Sequence, residues 1–218
     1  MRALIVDAGN TNLKLAIFED GKLKFLVISS YAFLERLMVP DYDVGILVST
    51  VKSLNPILLR IFPGLFVLSP KDLKIKSEYS LDLVGTDRIA GCYPFIRSKK
   101  DAIIVISGTS ITINVVKNGV FYGGPILPPF SNIRRAYGIL AIERIEGDTE
   151  RAINSAIEGM FNGGLETIVG ELKKTYKINQ VFVSSDLPYK IRGAKRIEYP
   201  VIFGAYQLLL DTLEYPLW

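Results

Sequence analysis

The chain has 218 residues, 49% of them apolar and 22% charged, a globular composition that excludes a disordered chain. It contains no histidine, which excludes a Ser-His-Asp triad and histidine-ligated metals and leaves Asp, Glu, Lys or Tyr as the general base. The net charge of +4 comes from scattered basic residues that read as solvated faces, so no nucleic acid is expected as partner; a small anionic substrate accounts for the balance equally well.

The single cysteine, Cys92, permits no internal disulfide and fits a reducing compartment. Only Ala3 to Val6 separate Met1-Arg2 from Asp7, and no apolar run approaches the length of a bilayer span. The expectation is a cytoplasmic protein with no membrane partner. The positive mean hydropathy of +0.29 is matched either by a face buried in a homodimer or by a strand-rich chain.

In chain order, Ala3 to Val6 predicts a strand, Ala8 to Thr11 a turn and Leu13 to Phe18 a second strand. Asp20-Gly21 is a hairpin signal, after which Lys22 to Ile28 returns as a third strand. A short helix is expected over Tyr31 to Met38, a strand over Val44 to Ser49, a helix over Asn55 to Ile61 and a strand over Leu65 to Leu68. Ile89-Ala90-Gly91-Cys92 reads as part of a buried helix. A second block then opens with a strand over Ala102 to Ile106, the turn Ser107 to Ser110, a strand over Ile111 to Val116, the hairpin Asn118-Gly119 and a strand from Val120. Helices are expected over Asn132 to Ile142, Thr149 to Lys174 and Val201 to Leu213, with a strand over Gln180 to Ser184.

The two blocks repeat one string: strand, glycine turn with small hydroxyl or amide residues, strand, Asn-Gly or Asp-Gly hairpin, strand. This is an internal duplication. Duplicated hairpin-plus-helix lobes around a central cleft describe an α/β fold with ribonuclease H-like, actin-like ATPase lobes. The division falls near Lys99, giving lobes 1–99 and 100–218.

The turn at the end of the first strand carries the strongest chemical signal. Gly9 lets the backbone approach a phosphate, Asn10 and Thr11 offer donors, and Asp7 supplies a carboxylate for Mg²⁺. Lys14 balances phosphate charge, and Gly108 and Thr109 form the partner turn. Gly85-Thr86-Asp87-Arg88 opens the buried helix. Asp87 is there either a helix-start residue favoured by the dipole or a base for an alcohol, with Arg88 gripping an anion; the residues alone leave both open.

These motifs resemble the type III pantothenate kinase family, also called Bvg accessory factors. Asp7 to Lys14 is similar to its Asp-x-Gly-Asn-Thr-x-x-Lys, and Gly85 to Arg88 to its Gly-x-Asp-Arg. Gly108 to Thr112 stands where the family has Gly-Thr-Ala-Thr-Thr, and Gly147-Asp148-Thr149-x-x-Ala152-Ile153 resembles a further motif. The resemblance implies ATP-dependent phosphorylation of pantothenate at its 4′-hydroxyl, the first step of coenzyme A synthesis. It implies Asp87 as base and Asp7 beside Mg²⁺ and phosphates. It further implies Tyr79, Gly85, Thr86, Arg88 and Thr149 around pantothenate, a homodimer, and a monovalent cation, K⁺ or NH₄⁺.

The chain departs from the family in places. Ile106 replaces the Asp of the second phosphate turn, Asn114 replaces a later Asp, Ser184-Ser185-Asp186 replaces a Thr-Gly-Gly loop, and Pro128-Pro129 replaces Pro-Gly. Ser185 and Asp186 are expected to crowd or repel a nucleotide. The departures therefore keep open a different phosphate donor, or an impaired relative that binds ligand or regulates. Another small-molecule kinase of the superfamily is a further alternative.

Overall fold

The computed structural model of the chain describes residues 1–128, 148–187 and 190–214. Strand alternation decides its layering. β1 (Arg2–Ala8) turns Ala3 and Ile5 to one face and Leu4, Val6 and Ala8 to the other, all fully buried, so both faces of the strand are covered. β2 (Leu13–Glu19) and β3 (Lys22–Ser29) continue from it as an antiparallel meander. β4 (Val44–Ser49) and β5 (Leu65–Val67) extend the sheet in parallel on the far side of β1, in the order β3-β2-β1-β4-β5.

The second sheet repeats this plan. β7 (Ala102–Ser107), β8 (Ile111–Lys117) and β9 (Val120–Gly123) form the meander, and β11 (Val181–Ser184) and β12 (Lys195–Ile197) lie parallel beyond β7. The two hairpins share their turn chemistry. Asp20 and Gly21 sit at φ 49° and 79°, and Asn118 and Gly119 at 52° and 75°, the paired positive values that Asp-Gly and Asn-Gly tolerate. Two small strands decorate the second sheet: β6 (Lys76–Ser77) runs beside β9, so the chain visits this sheet before residue 99, and β10 (Ile126–Leu127) pairs with β8.

Among the described residues, four helices pack on these sheets: α1 (Asn55–Ile61), α2 (Thr86–Arg97), α3 (Asp148–Tyr176) and α4 (Pro200–Glu214). Leu58 of α1 joins Leu4, Val6 and Leu47 on the outer face of the first sheet. Leu165 and Val169 of α3 join Ile103, Val105 and Ile113 on the outer face of the second. Between the sheets lies a shared layer in which Ile89 and Cys92 of α2 and Ile202 and Leu208 of α4 meet Ile5 and Val48 from one side and Ile104 and Val116 from the other. The duplicated actin-like architecture expected from the repeat is thus observed, with α2 and α4 at its centre.

Two expectations changed. Tyr31 to Met38 is a 3-10 turn over Tyr31–Arg36, started by Ser30, whose hydroxyl accepts from the Ala32 N–H, and ended where Leu37 turns extended ahead of Val39-Pro40. The strand β12 was not anticipated, because its Lys195 and Arg196 carry charge at a sheet edge rather than apolar alternation. The helix expected over residues 132–142 lies outside the described residues, as does Pro129.

The α2–α4 contact depends on missing atoms. Pro94 lacks the N–H that would bond the Ala90 carbonyl within α2, and Gly204 of α4 lies against that oxygen; a Cβ at Gly204 would collide with it. Gly204→Ala should therefore destabilise the protein by about 3 kcal/mol. Gly163→Ala, on an exposed stretch of α3 with open space around it, should stabilise it by up to about 1 kcal/mol. Paired denaturant titrations check both signs.

Candidate active site

The site forms where β1, β7 and the start of α2 converge. After β1 the chain doubles back tightly: the Gly9 N–H donates to the Asn12 carbonyl at 3.1 Å, and a Cβ on Gly9 would stand 3.3 Å from that oxygen. The Tyr31 hydroxyl donates to the Gly9 carbonyl, and the N–H and hydroxyl of Thr50 both donate to the Ala8 carbonyl. The turn after β7 is held by Ser184, 2% exposed, whose hydroxyl accepts from the Ser107 N–H at 2.8 Å. The two turns touch: Thr11 Oγ1 and Thr109 Oγ1 lie 2.7 Å apart.

Asp7, Gly9, Asn10 and Lys14 from the first lobe line one cleft with Gly108 and Thr109 from the second. Asp87 joins them from the first turn of α2. Seven of the sequence-predicted residues therefore share one wall-to-wall site, and Thr11 stands at its edge through its bond to Thr109. The remaining ones sit beside it. Gly85 and Thr86 line an adjoining hollow, joined to the cleft at Thr50, and the Thr86 hydroxyl donates to the Ser49 carbonyl. Tyr79, half exposed, lays its ring over Gly123, where a Cβ would stand 2.7 Å from the ring edge. Arg88 reaches to the far side, donating from Nε to Asn114 Oδ1 at 2.7 Å and from Nη2 to the Gly124 carbonyl at 2.9 Å. The backbone of Thr149 belongs to α3, and its side chain lies outside the described residues.

The electrostatics favour added positive charge in the cleft. Asp7 is 6% exposed, and burial pushes its carboxyl up to about 6. Lys14, with Nζ 3.8 Å from Asp7 Oδ2, opposes that rise, while Asp87 and Asp186 add to it. Burial also raises the Asp87 carboxyl, against the Arg88 N–H that donates to Asp87 Oδ1 at 2.9 Å. Two carboxyls that hold protons more tightly than usual, side by side, suit proton transfer and cation binding.

A family model for type III pantothenate kinase matches residues 44–177. The chain belongs to that family. The type III pantothenate kinase of Thermosipho melanesiensis is 28% identical over 204 residues, covering 78% of this chain and 81% of its own. That of Fervidobacterium nodosum is 29% identical over 214 residues, covering 83% and 84%. Among solved structures, a Campylobacter jejuni protein described as a conserved Baf family transcriptional activator superposes with a TM-score of 0.66 at 17% identity, covering 97% of this chain and 99% of its own. The ethanolamine utilization protein EutJ of Carboxydothermus hydrogenoformans gives 0.56 at 14% identity, covering 94% and 89%. These structural likenesses establish the fold.

Against the type III pantothenate kinase pattern, the departures acquire physical explanations. Ile106, 7% exposed, presses into the seam between α2 and α4: its Cδ1 occupies the space that a Cβ on Gly91 would need, and Val201 lies beside it. An apolar contact has taken the place of the carboxylate. Asp186 lines the cleft as expected, whereas exposed Ser185 does not; its N–H donates to the Ile197 carbonyl, and Arg196 donates to the carbonyls of Ser185 and Leu187. Of the two residues expected to crowd a nucleotide, Asp186 alone lines the cleft.

The residues present fit a magnesium ion held with a nucleotide. Among the described residues, no group of three or more acidic, histidine or cysteine side chains forms a metal cage. The buried Asp7 carboxylate, whose cationic neighbour Lys14 stays 3.8 Å away, matches an ion that takes one protein carboxylate and completes its shell with phosphates and water. Sequence reasoning missed Ser184 as the anchor of the second turn and Asn114 as the partner of Arg88. Both residues had been singled out only as departures, although a small polar residue inside an otherwise apolar strand was the available signal.

Two predictions follow from these environments. The folded-state value for Asp7 lies above the unfolded one, so the folded chain binds this proton more tightly. Asp7 therefore destabilises the fold as pH rises from about 4 to 6, by up to ~3 kcal/mol beyond it. Asp7→Asn should melt above wild type at pH 8, with the gap closing as pH falls through 6 towards 4. Ile106→Asp should lower stability by about 3 kcal/mol, measured by denaturant unfolding, because it removes the apolar side chain that fills the space beside Gly91 and Val201.

Proposed function

We propose that the chain transfers the γ-phosphoryl group of ATP to the 4′-hydroxyl of pantothenate, giving 4′-phosphopantothenate, the first step of coenzyme A synthesis. The observation that carries this reading is the convergence of Asp87 with Asp7 and two hydroxyl-bearing turns in a single cleft between the lobes. Family membership names the acceptor.

In this reading, Gly9 to Thr11 and Gly108-Thr109 receive the phosphates through backbone N–H groups and hydroxyls, and Lys14 neutralises part of their charge. Mg²⁺, held by Asp7 and the phosphates, supplies further charge neutralisation. Asp87 accepts the proton of the 4′-hydroxyl as its oxygen bonds to the γ-phosphorus and the bond to the departing ADP oxygen breaks. Its raised proton affinity brings it nearer to the working pH of a base. Tyr79, Gly85, Thr86, Arg88 and Thr149 hold pantothenate, and K⁺ or NH₄⁺ assists.

The lobes 1–99 and 100–218 close on the nucleotide, a division supported by the repeated strand order. The chain works as a homodimer; the exposed apolar side chains of Leu83 and Ile126 support a second copy covering them. The location is the cytoplasm, in keeping with the free, buried Cys92. Among the described residues, no helix is long and apolar enough to cross a membrane.

The test is mass spectrometry of a reaction containing pantothenate, ATP, Mg²⁺ and K⁺, run beside Asp87→Asn. Phosphopantothenate should form with the wild type and fall by about 10²-fold or more with the variant. Undiminished turnover by the variant would remove Asp87 as base. No product from the wild type with pantothenate still bound would point to a binding protein instead.

A further inference from the structure

The cleft carries an excess of negative charge that its own lysine does not balance. Among the described residues, its charged lining is Asp7, Asp87 and Asp186 against Lys14. Two of these carboxylates already have partners: Asp7 has Lys14 Nζ at 3.8 Å, and Asp87 Oδ1 accepts the Arg88 N–H at 2.9 Å. Asp186 is exposed and enters none of the ion pairs among the described residues.

The sheet register brings Asp186 to this place. β11 runs parallel to β7 with Val183 beside Val105, so the next residues, Ser184 and Ile106, stand level. Asp186 thus leaves the end of the strand about 5 Å to the side, just past the level at which β7 offers only the apolar Ile106. The backbone on either side of it is fixed. The Ser185 N–H donates to the Ile197 carbonyl at 2.8 Å, and the Leu187 N–H donates to the Ser184 carbonyl at 3.0 Å. Arg196 Nη1 donates to the carbonyls of Ser185 and Leu187 at 2.8 and 3.0 Å, so this cation holds the turn through its backbone. Asp186 also stands near enough to Asp7 to push that carboxyl upward.

We propose that Asp186 supplies, from the end of β11, the carboxylate that the second phosphate turn lacks at Ile106, helping to hold nucleotide-bound magnesium and making the cleft reject a metal-free nucleotide. The inference rests on the kinase reading and deepens it. Magnesium keeps several waters and takes one or two protein carboxylates together with phosphates. Asp7 comes from the first sheet and Asp186 from the second, so one hydrated ion answers carboxylates on both walls. A bare polyphosphate meets the same groups as like charges. The repulsion expected of Asp186 is thereby a selection for the metal-loaded donor.

Titration calorimetry of the full chain with ADP, in excess Mg²⁺ and in EDTA, measures this selection, and electron paramagnetic resonance of Mn²⁺ in the presence of ADP measures the affinity for the ion. The wild type should bind ADP more tightly with Mg²⁺ than without it. Asp186→Asn should narrow that gap on the order of tenfold, weakening Mn²⁺ and Mg²⁺-loaded ADP while tightening metal-free ADP. Asp186→Glu, which keeps the charge, should retain most of the gap. A thermal melt establishes that the variants are folded; if Asp186→Asn is not, Asp186→Ser takes its place. Tighter binding of ADP by the variant with and without Mg²⁺ alike would make Asp186 a repelling charge only, and unchanged binding of both would make it a bystander. Either result, or a wild type indifferent to Mg²⁺, would overturn the inference and leave the kinase reading intact. Failure of the wild type to bind ADP under both conditions would overturn both.

Discussion

The approach of α2 to α4 is the constraint on which the rest of the molecule depends. It is closer than side chains permit, because Gly204 accepts the backbone of α2 directly against its own. Both helices are shared property of the two sheets, so this one contact sets where the lobes stand. It also sets where α2 begins. The start of that helix carries Thr86, Asp87 and Arg88 into reach of β4 on one side and β8 on the other. A shift of α4 outward by the width of a methyl group would move the candidate base relative to the phosphate turns.

Around this frame the charges are arranged in a graded way. Asp7 and Asp87 are desolvated and face the cleft, with Lys14 as a modest counterweight. Such a cleft is incomplete without added cations, which a nucleotide carrying magnesium provides. Arg88 is turned away from that region by Asn114 and Gly124. The carboxylates and the Arg88 guanidinium thus face different parts of the site, which suits a reaction joining a phosphate donor to an anionic acceptor.

Much of this was legible in the sequence. The repeat of glycine turn and Asn-Gly or Asp-Gly hairpin announced the duplication, because those residues are needed wherever φ turns positive or backbone must fold tightly. Asp7 to Lys14 were legible as a glycine turn with small polar donors beside a carboxylate, whereas the role of Asp87 stayed open until the family resemblance was drawn. Interactions set by tertiary distance were hidden. Nothing local tells that Ser184 will reach the Ser107 N–H, that Asn114 will hold Arg88, or that Gly204 will meet the Ala90 carbonyl. The edge strand β12 was hidden because charge there protects an edge rather than marking a loop.

The packing of Ile106 upon Gly91 bears on the history open to this chain. Each residue makes the other necessary: Gly91 leaves the hollow that Ile106 fills, and Ile106 leaves no room for a larger neighbour. An aspartate at position 106 alone would leave a void beside Gly91, and a bulkier residue at 91 alone would clash. Neither change is passable as a first step. Change near the second phosphate turn is thereby left to positions outside this packed pair, and Asp186, beyond the neighbouring strand and also lining the cleft, is one of them.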